Sequence, residues 1–360
     1  YYVPLENVVN TDKQDIQTMI DLGRYFSIFA PRQSGKTTFL KETCKQLHRD
    51  SAYVAITLSF QDNTDLDKTT FYSLIQRYLY NQLITRLKEV DCEKAEPVSR
   101  FLSGYEITDH ISFRLLFEEL NQLILLKKIV IFIDEFDGIP LGELQNFLTA
   151  LRELYQSYKG YRKKALYSVG LVGIRNITKL VVGGISPFNI ADQVTLPPFS
   201  EDNIRDLYRQ YTEETNQPFT PGAIKKVHEE TAGQPWLVNA LAYEVTYEMK
   251  ENRDRDKEIG IEDIEQAKEN IIIRRETHLD QLSDKLQEDR VRRVLLPILT
   301  GSRNTSKIPV DDIDYVSDLG LIIKHPQLTV ANKIYQEVIP RQLTYSAQLT
   351  ISQEAAWYMN

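Results

Sequence analysis

The residues best equipped for chemistry lie near the start, in Ala30-Pro31-Arg32-Gln33-Ser34-Gly35-Lys36-Thr37 and the following Thr38. A Gly-Lys-Thr ending lets main-chain N–H groups curl around a β-phosphate. Lys36 would reach the β and γ oxygens, and Thr37 would offer its hydroxyl to Mg²⁺. Pro31, Arg32, Gln33, Ser34, Gly35, Lys36, Thr37 and Thr38 are therefore the candidate nucleotide-binding residues. The pattern asks for glycine at its first position, where this chain has Ala30; alanine narrows access to positive φ without forbidding the loop. A second stretch, Lys128-Ile129-Val130-Ile131-Phe132-Ile133-Asp134-Glu135-Phe136, is an apolar run ending in two carboxylates. Asp134 would hold Mg²⁺, directly or through water, and Glu135 would orient and polarise an attacking water. Each half alone arises by chance. In this order they predict a site for a nucleoside triphosphate.

Such residues need strands and helices to place them. Tyr25 to Phe29 is apolar and precedes the glycine-lysine loop, and Thr38 to His48 follows it as a helix, the strand–loop–helix context that a phosphate cradle requires. The run ending at Asp134 reads as a strand buried on both faces, as in a parallel sheet, whose ligands bind beyond the carboxyl ends of the strands. Further strands are expected at Ala52 to Phe60, Ser168 to Ile174 and Gln193 to Leu196, the last closed by Pro197-Pro198. Helical periodicity predicts helices at Asp15 to Leu22, Thr70 to Val90, Ile111 to Leu126 and Leu144 to Tyr158, with Glu96-Pro97 as a break between the second and third. Alternating strands and helices imply a parallel α/β sandwich over residues 1–199, with the loop-bearing strand at its middle.

After Ser200 the pattern turns helical, starting at Ser200-Glu201-Asp202-Asn203, with breaks at Gln217-Pro218, Thr220-Pro221 and Gly233-Gln234-Pro235. The charged stretch Lys250 to Lys257 reads as a solvated loop or helix end. Residues 288–345 read as helix, helix and short hairpin, the order of a winged helix, with 346–360 as an extension.

With 360 residues, 42% hydrophobic and 26% charged, the composition is that of an ordinary globular protein long enough for two or three domains. A net charge of −8 argues against a surface coated by nucleic acid and leaves room for one local basic face. Cys44 and Cys92 lack metal-ligand spacing, and the five histidines form no clustered pair. No apolar run is long enough to cross a bilayer and no leader-like run opens the chain, so a cytoplasmic protein without a membrane partner is expected. The start at Tyr1 rather than Met gives the expectation of a trimmed or processed chain.

These residues together resemble a family: the prokaryotic AAA-like ATPases related to the signal-transduction (STAND) NTPases. The resembling stretches are residues 30–37, Ile-Asp-Glu-Phe-Asp (133–137), Val-Gly-Ile-Arg-Asn (172–176), Ser-Pro-Phe-Asn-Ile (186–190), Gly-Gln-Pro-Trp-Leu-Val-Asn-Ala-Leu-Ala-Tyr-Glu (233–244) and Asp-Tyr-Val-Ser-Asp-Leu-Gly-Leu-Ile (314–322). The resemblance implies a five-stranded P-loop NTPase core sandwiched by helices, a helical lid with a connecting helix over 200–287, and a winged-helix module. It implies ATP and Mg²⁺ as cofactors, and slow or partner-stimulated hydrolysis that drives a conformational switch. Arg175 matches the residue closing the sensor strand, facing the γ-phosphate; a salt bridge to Asp134 or Glu135 is the structural alternative. Pro235 matches a lid turn near adenine and ribose, against the plainer reading of a helix break before Trp236. Tyr2, Val3 and Pro4 match the leading segment that passes the adenine. Lys36, Glu135 and Arg175 would be the catalytic set, and Thr37 and Asp134 the metal ligands. Many members carry a PD-(D/E)-x-K nuclease-like domain; no such motif occurs by Asn360, so no nuclease residues carry over. Expected partners are ATP or ADP and a homo-oligomer or effector protein, with nucleic acid a further candidate through Arg290, Arg292, Arg293, Arg303 and Lys307. The rival reading is a nucleotide-gated binding or assembly module with little hydrolysis of its own.

Overall fold

The computed structural model describes residues 1–5, 8–124, 127–161, 166–174, 190–274, 284–301 and 308–343. The chain divides into two compact units, one of Asn7–Ala30 with Gly35–Leu196, the other of Tyr1–Glu6, Pro31–Ser34 and Pro197–Asn360.

The first unit is built on five parallel strands flanked by helices: β1 (Tyr25–Phe29), β2 (Tyr53–Ser59), β3 (Lys128–Asp134), β4 (Ser168–Gly173) and β5 (Asp192–Thr195). Their order across the sheet is β2-β3-β4-β1-β5, all pairs parallel. The loop-bearing strand β1 is therefore fourth of five. The middle place, expected for β1, belongs to β4, which the chain inserts between β3 and β1. Every residue of β4 is buried, and so is every residue of β3 after Lys128, as an interior parallel strand demands.

In register, Phe26 of β1 and Phe132 of β3 both stand beside Gly170 of β4. Their rings meet edge to face over it at 6.3 Å. A Cβ on Gly170 would lie 2.7 Å from the Phe26 ring and 2.9 Å from that of Phe132.

Around the sheet run α1 (Ile16–Asp21), α2 (Lys36–Leu47), α3 (Lys68–Val90), α4 (Cys92–Gly104), α5 (His110–Leu123) and α6 (Leu141–Tyr161). The expected break at Glu96-Pro97 does not occur; Pro97 lies inside α4. Proline in a helix interior costs about 3 kcal/mol, here one lost bond to the Glu93 carbonyl. Ala95, Val98 and Leu102 are buried in the same helix, in one core with α3 and α5. Burying a Val or Leu contributes about 1.5–3 kcal/mol each, which outweighs the proline. On the inner side of α2, burial pushes the Cys44 thiol up, with its sulfur 3.5 Å from the Thr57 hydroxyl, so it is a packed thiol rather than a nucleophile.

In the second unit, α7 (Glu201–Thr215), α8 (Pro221–Thr231), α9 (Pro235–Tyr243) and α10 (Ile261–Arg274) lead to helices at Asp289–Leu299 and Val310–Asp318. A two-stranded antiparallel hairpin pairs Ile322–Ile323 with Thr329–Val330, and residues 333–343 form a further helix. Val3, Ile204, Val238, Val294, Val316 and Ile334 share its apolar core. The charged stretch at Lys250 to Lys257 is organised from beneath: the buried Gln217 amide donates to the carbonyls of Asn252, Asp254 and Lys257 at 3.0–3.1 Å. The Glu230 carboxylate, also buried, is surrounded by the ammonium groups of Lys226 at 3.2 Å, Lys268 at 3.5 Å and Lys333 at 3.9 Å. A charge taken out of water needs such partners.

Candidate functional site

Between Phe29 and Lys36 the chain turns sharply, and its positive φ values fall at Gln33 (59°) and Gly35 (83°). Ala30 is spared that conformation, so alanine there costs the loop nothing in backbone strain. The Ser34 hydroxyl donates to the Pro31 carbonyl at 2.8 Å, closing the turn on itself. Gly35 is the N-cap of α2, and no side chain caps that helix. Its first turn holds no acid and begins with Lys36, so neither a cap nor a carboxylate of its own offsets the positive end of its dipole, the arrangement that suits an anion. Lys36 is buried, with its ammonium 2.9 Å from the Ala30 carbonyl, which lays the side chain back along the loop.

Asp134 ends β3 and is buried as well. Its Oδ2 accepts from the Thr37 hydroxyl at 2.8 Å, and its Oδ1 accepts from the Glu135 N–H at 3.0 Å. Glu135, half-buried, takes a left-handed backbone (φ 52°) at the head of a 3-10 turn, Phe136–Gly138. The two halves of the site hang from β1 and β3, which are not neighbours. With β4 between them their axes stand about 10 Å apart, so the Thr37–Asp134 bond bridges the tip of β4.

The structure thus brings together Gly35, Lys36, Thr37, Asp134 and Glu135. Thr38 follows, exposed, in the first turn of α2; Arg32 is exposed and Pro31 and Gln33 half-buried in the loop. Pro235 belongs to the other unit. It is the first residue of α9, after Gln234, whose side chain accepts from the Leu237 N–H at 2.6 Å. Arg175 lies outside the described residues. Tyr2 pairs its backbone with the Gln210 side chain at 3.1 and 2.9 Å, and Val3 is buried in the second unit's core. Asp137, quoted in the sequence only as the end of the resembling stretch 133–137 and given no role there, accepts from the Ile174 N–H through its Oδ2 at 2.6 Å, at the end of β4. Its signal in the sequence is a third carboxylate two residues after Glu135, followed by Gly138.

A hydroxyl and a carboxylate in contact are hard oxygen donors suited to Mg²⁺, which takes one or two protein ligands and fills its other positions with water and phosphate oxygens. Among the described residues no group of three or more His, Cys, Asp or Glu gathers as a metal cage.

The family profile described as an AAA-like domain matches residues 2–339. The chain belongs to the AAA-like domain family. Among solved structures this AAA-like chain is similar to the Walker-type ATPase of Pyrococcus abyssi, at 15% identity and a TM-score of 0.58 over 94% of this chain and 99% of that one. That likeness shows a shared P-loop ATPase fold. Lower similarity extends to the RuvB Holliday junction branch migration motor of Thermotoga maritima (13% identity, TM-score 0.44, 90% of each chain). Cdc6p from Pyrobaculum aerophilum is similar at 11% identity and a TM-score of 0.44, over 89% of this chain and 88% of that one. A search of the curated proteins gave no match. No described helix is long and apolar enough to cross a membrane.

Proposed function

We propose that this AAA-like chain binds Mg·ATP at the glycine-lysine loop and hydrolyses it slowly to drive a conformational switch of the STAND type. One observation carries the reading: the Thr37 hydroxyl meets the Asp134 carboxylate at 2.8 Å across β4, joining a polyphosphate-gripping loop to a pair of acids. The N–H groups from Gln33 to Thr38 would wrap the phosphates, and Lys36 would swing from the Ala30 carbonyl to the β and γ oxygens. Thr37 and Asp134 would hold the metal, which, when bound, supplies charge neutralisation between the β- and γ-phosphates. Glu135 would orient a water in line with the γ-phosphate and draw its proton. Positioning and charge make up nearly all of this catalysis.

Arg175 is proposed as the guanidinium facing the γ-phosphate, and Pro235 as a nucleotide contact of the lid. Residues 200–287 are proposed as that lid and 288–345 as a winged-helix module, both moving with the state of the nucleotide. Nucleic acid is the weaker partner reading. Arg290 and Arg293 share the Asp312 carboxylate at 3.5 and 2.5 Å, and Arg292 bonds the Leu286 carbonyl and the Gln287 side chain, so the guanidinium donors of that helix are engaged within the protein; Arg303 and Lys307 lie outside the described residues.

Calorimetry with Mg·ATP, paired with phosphate release at rising protein concentration, tests the reading. Saturable heat and magnesium-dependent release support it. Absence of heat sinks it, and a rate that climbs faster than linearly with protein points to a site completed by assembly.

A further inference from the structure

We propose that Asp137 is a positioning residue for hydrolysis, tying the turn that carries Glu135 to the carboxyl end of β4. The inference rests on the ATPase reading above and adds a residue that acts through Glu135 rather than on substrate.

The turn after β3 is held on both flanks. On one side the Asp137 carboxylate accepts from the Ile174 N–H at 2.6 Å. Gly173 leaves room for that contact: a Cβ there would stand 2.2 Å from the Phe136 ring and 2.5 Å from Asp137 Oδ2. On the other side Gly138 presses on the end of β2, where a Cβ would come within 1.9 Å of the Phe60 carbonyl oxygen. The Phe60 N–H in turn donates to the Asp134 carbonyl at 3.1 Å. Glu135 leaves β3 in a left-handed conformation between these anchors. A residue held there stays only while its surroundings over-determine it. A carboxylate on a main-chain N–H is a directional, charge-assisted bond, stronger than a neutral one. It is also long-range: 37 residues separate its partners, and it extends the link between β3 and β4 beyond their last ladder pair, Ile133 with Leu171.

The phosphate grip resides in the loop at residues 30–38 and does not pass through this turn. The aim of Glu135 does. Loss of the tie should therefore cost rate and spare affinity, because a misplacement of about 1 Å is enough to lose on the order of a hundredfold in rate.

The test compares wild type, Asp137→Ala and Asp137→Asn in the full chain, with Kd for Mg·ATP from calorimetry and kcat from phosphate release. Asp137→Ala is expected to keep Kd within about threefold while kcat falls on the order of 10- to 100-fold. Asp137→Asn keeps an oxygen to accept from Ile174 and should recover most of that loss. The inference is overturned by an Ala variant as fast as wild type, by Kd and kcat declining together, or by an Asn variant no better than Ala. Should the Ala variant not fold, amide exchange on wild type decides: an Ile174 N–H protected like a strand amide supports the tie, and exchange at the rate of an open loop refutes it. A wild-type chain that gives no heat with Mg·ATP overturns the ATPase reading with it; a normal wild type beside an unaffected Ala variant removes Asp137 alone.

Discussion

Two helix starts in the same unit are built on opposite principles. At α5 the Asp109 carboxylate accepts from the Ser112 N–H at 2.8 Å and the Ser112 hydroxyl accepts from the Asp109 N–H at 3.0 Å, so the helix satisfies its own first donors. Asp15, Asp67, Ser200, Thr220 and Gln234 cap α1, α3, α7, α8 and α9 in the same spirit. Where α4 and the helices at Asp289–Leu299 and Val310–Asp318 lack a side-chain cap, an acid sits in the first turn instead. At α2 there is neither, and the helix opens on a lysine. The comparison sets α2 apart from α5: the chain answers the positive end of α5 with its own side chains and offers the start of α2 neither a cap nor an acid.

If α2 is left open for a polyphosphate, changes there must act on binding and changes at α5 must not. Lys36→Ala is expected to have the largest effect, a loss of Mg·ATP affinity of about a hundredfold or more, corresponding to about 3 kcal/mol or above; calorimetry with no measurable heat is the expected trace. Glu135→Gln should leave Kd within about threefold and slow phosphate release by about a hundredfold or more, in the range of lost general-base catalysis. Unchanged release by that variant removes Glu135 from the mechanism. Thr38→Glu places an acid in the exposed first turn of α2 and should weaken Mg·ATP by about five- to tenfold at low salt, with the penalty shrinking as salt screens it. A variant that binds as well as wild type at every salt concentration breaks the contrast.

The smallest effect falls at α5. Asp109→Ala should lower stability by about 1 kcal/mol in denaturant titration and leave nucleotide affinity alone. Its backbone bond from Ser112 holds the Asp109 carboxyl below its ordinary value. A carboxyl depressed on folding stabilises above its unfolded value of about 3.9 and loses that contribution as pH falls through the lowered one. The gap between wild type and Asp109→Ala should therefore be full at neutral pH and narrow only in strong acid. A gap that widens on acidification contradicts the assignment.

Much of this was legible in the chain because the signals are local. The loop from Ala30 to Thr37, the apolar run into Asp134 and the serine start at Ser200 each announce themselves within a few residues, and the five strands fall where alternation and burial place them. What stayed hidden is what depends on distant partners. The order that puts β4 rather than β1 in the middle is settled by which strands pair across the sheet. Pro97 is tolerated because Ala95, Val98 and Leu102 find a core that the sequence of α4 does not contain. The Asp137–Ile174 bond joins residues that only the fold makes neighbours.

The bare backbone at Gly170 reaches further than its own surroundings. Two phenyl rings close over it from the strands on either side, and those strands lead, about 7–10 Å along, to the loop proposed to hold phosphate and to the acids opposite. A single methyl group at that depth would act as a wedge under a pair of tweezers, parting the points by spreading the hinge. The span of the working residues is gauged from below, by a place where the protein keeps no side chain at all.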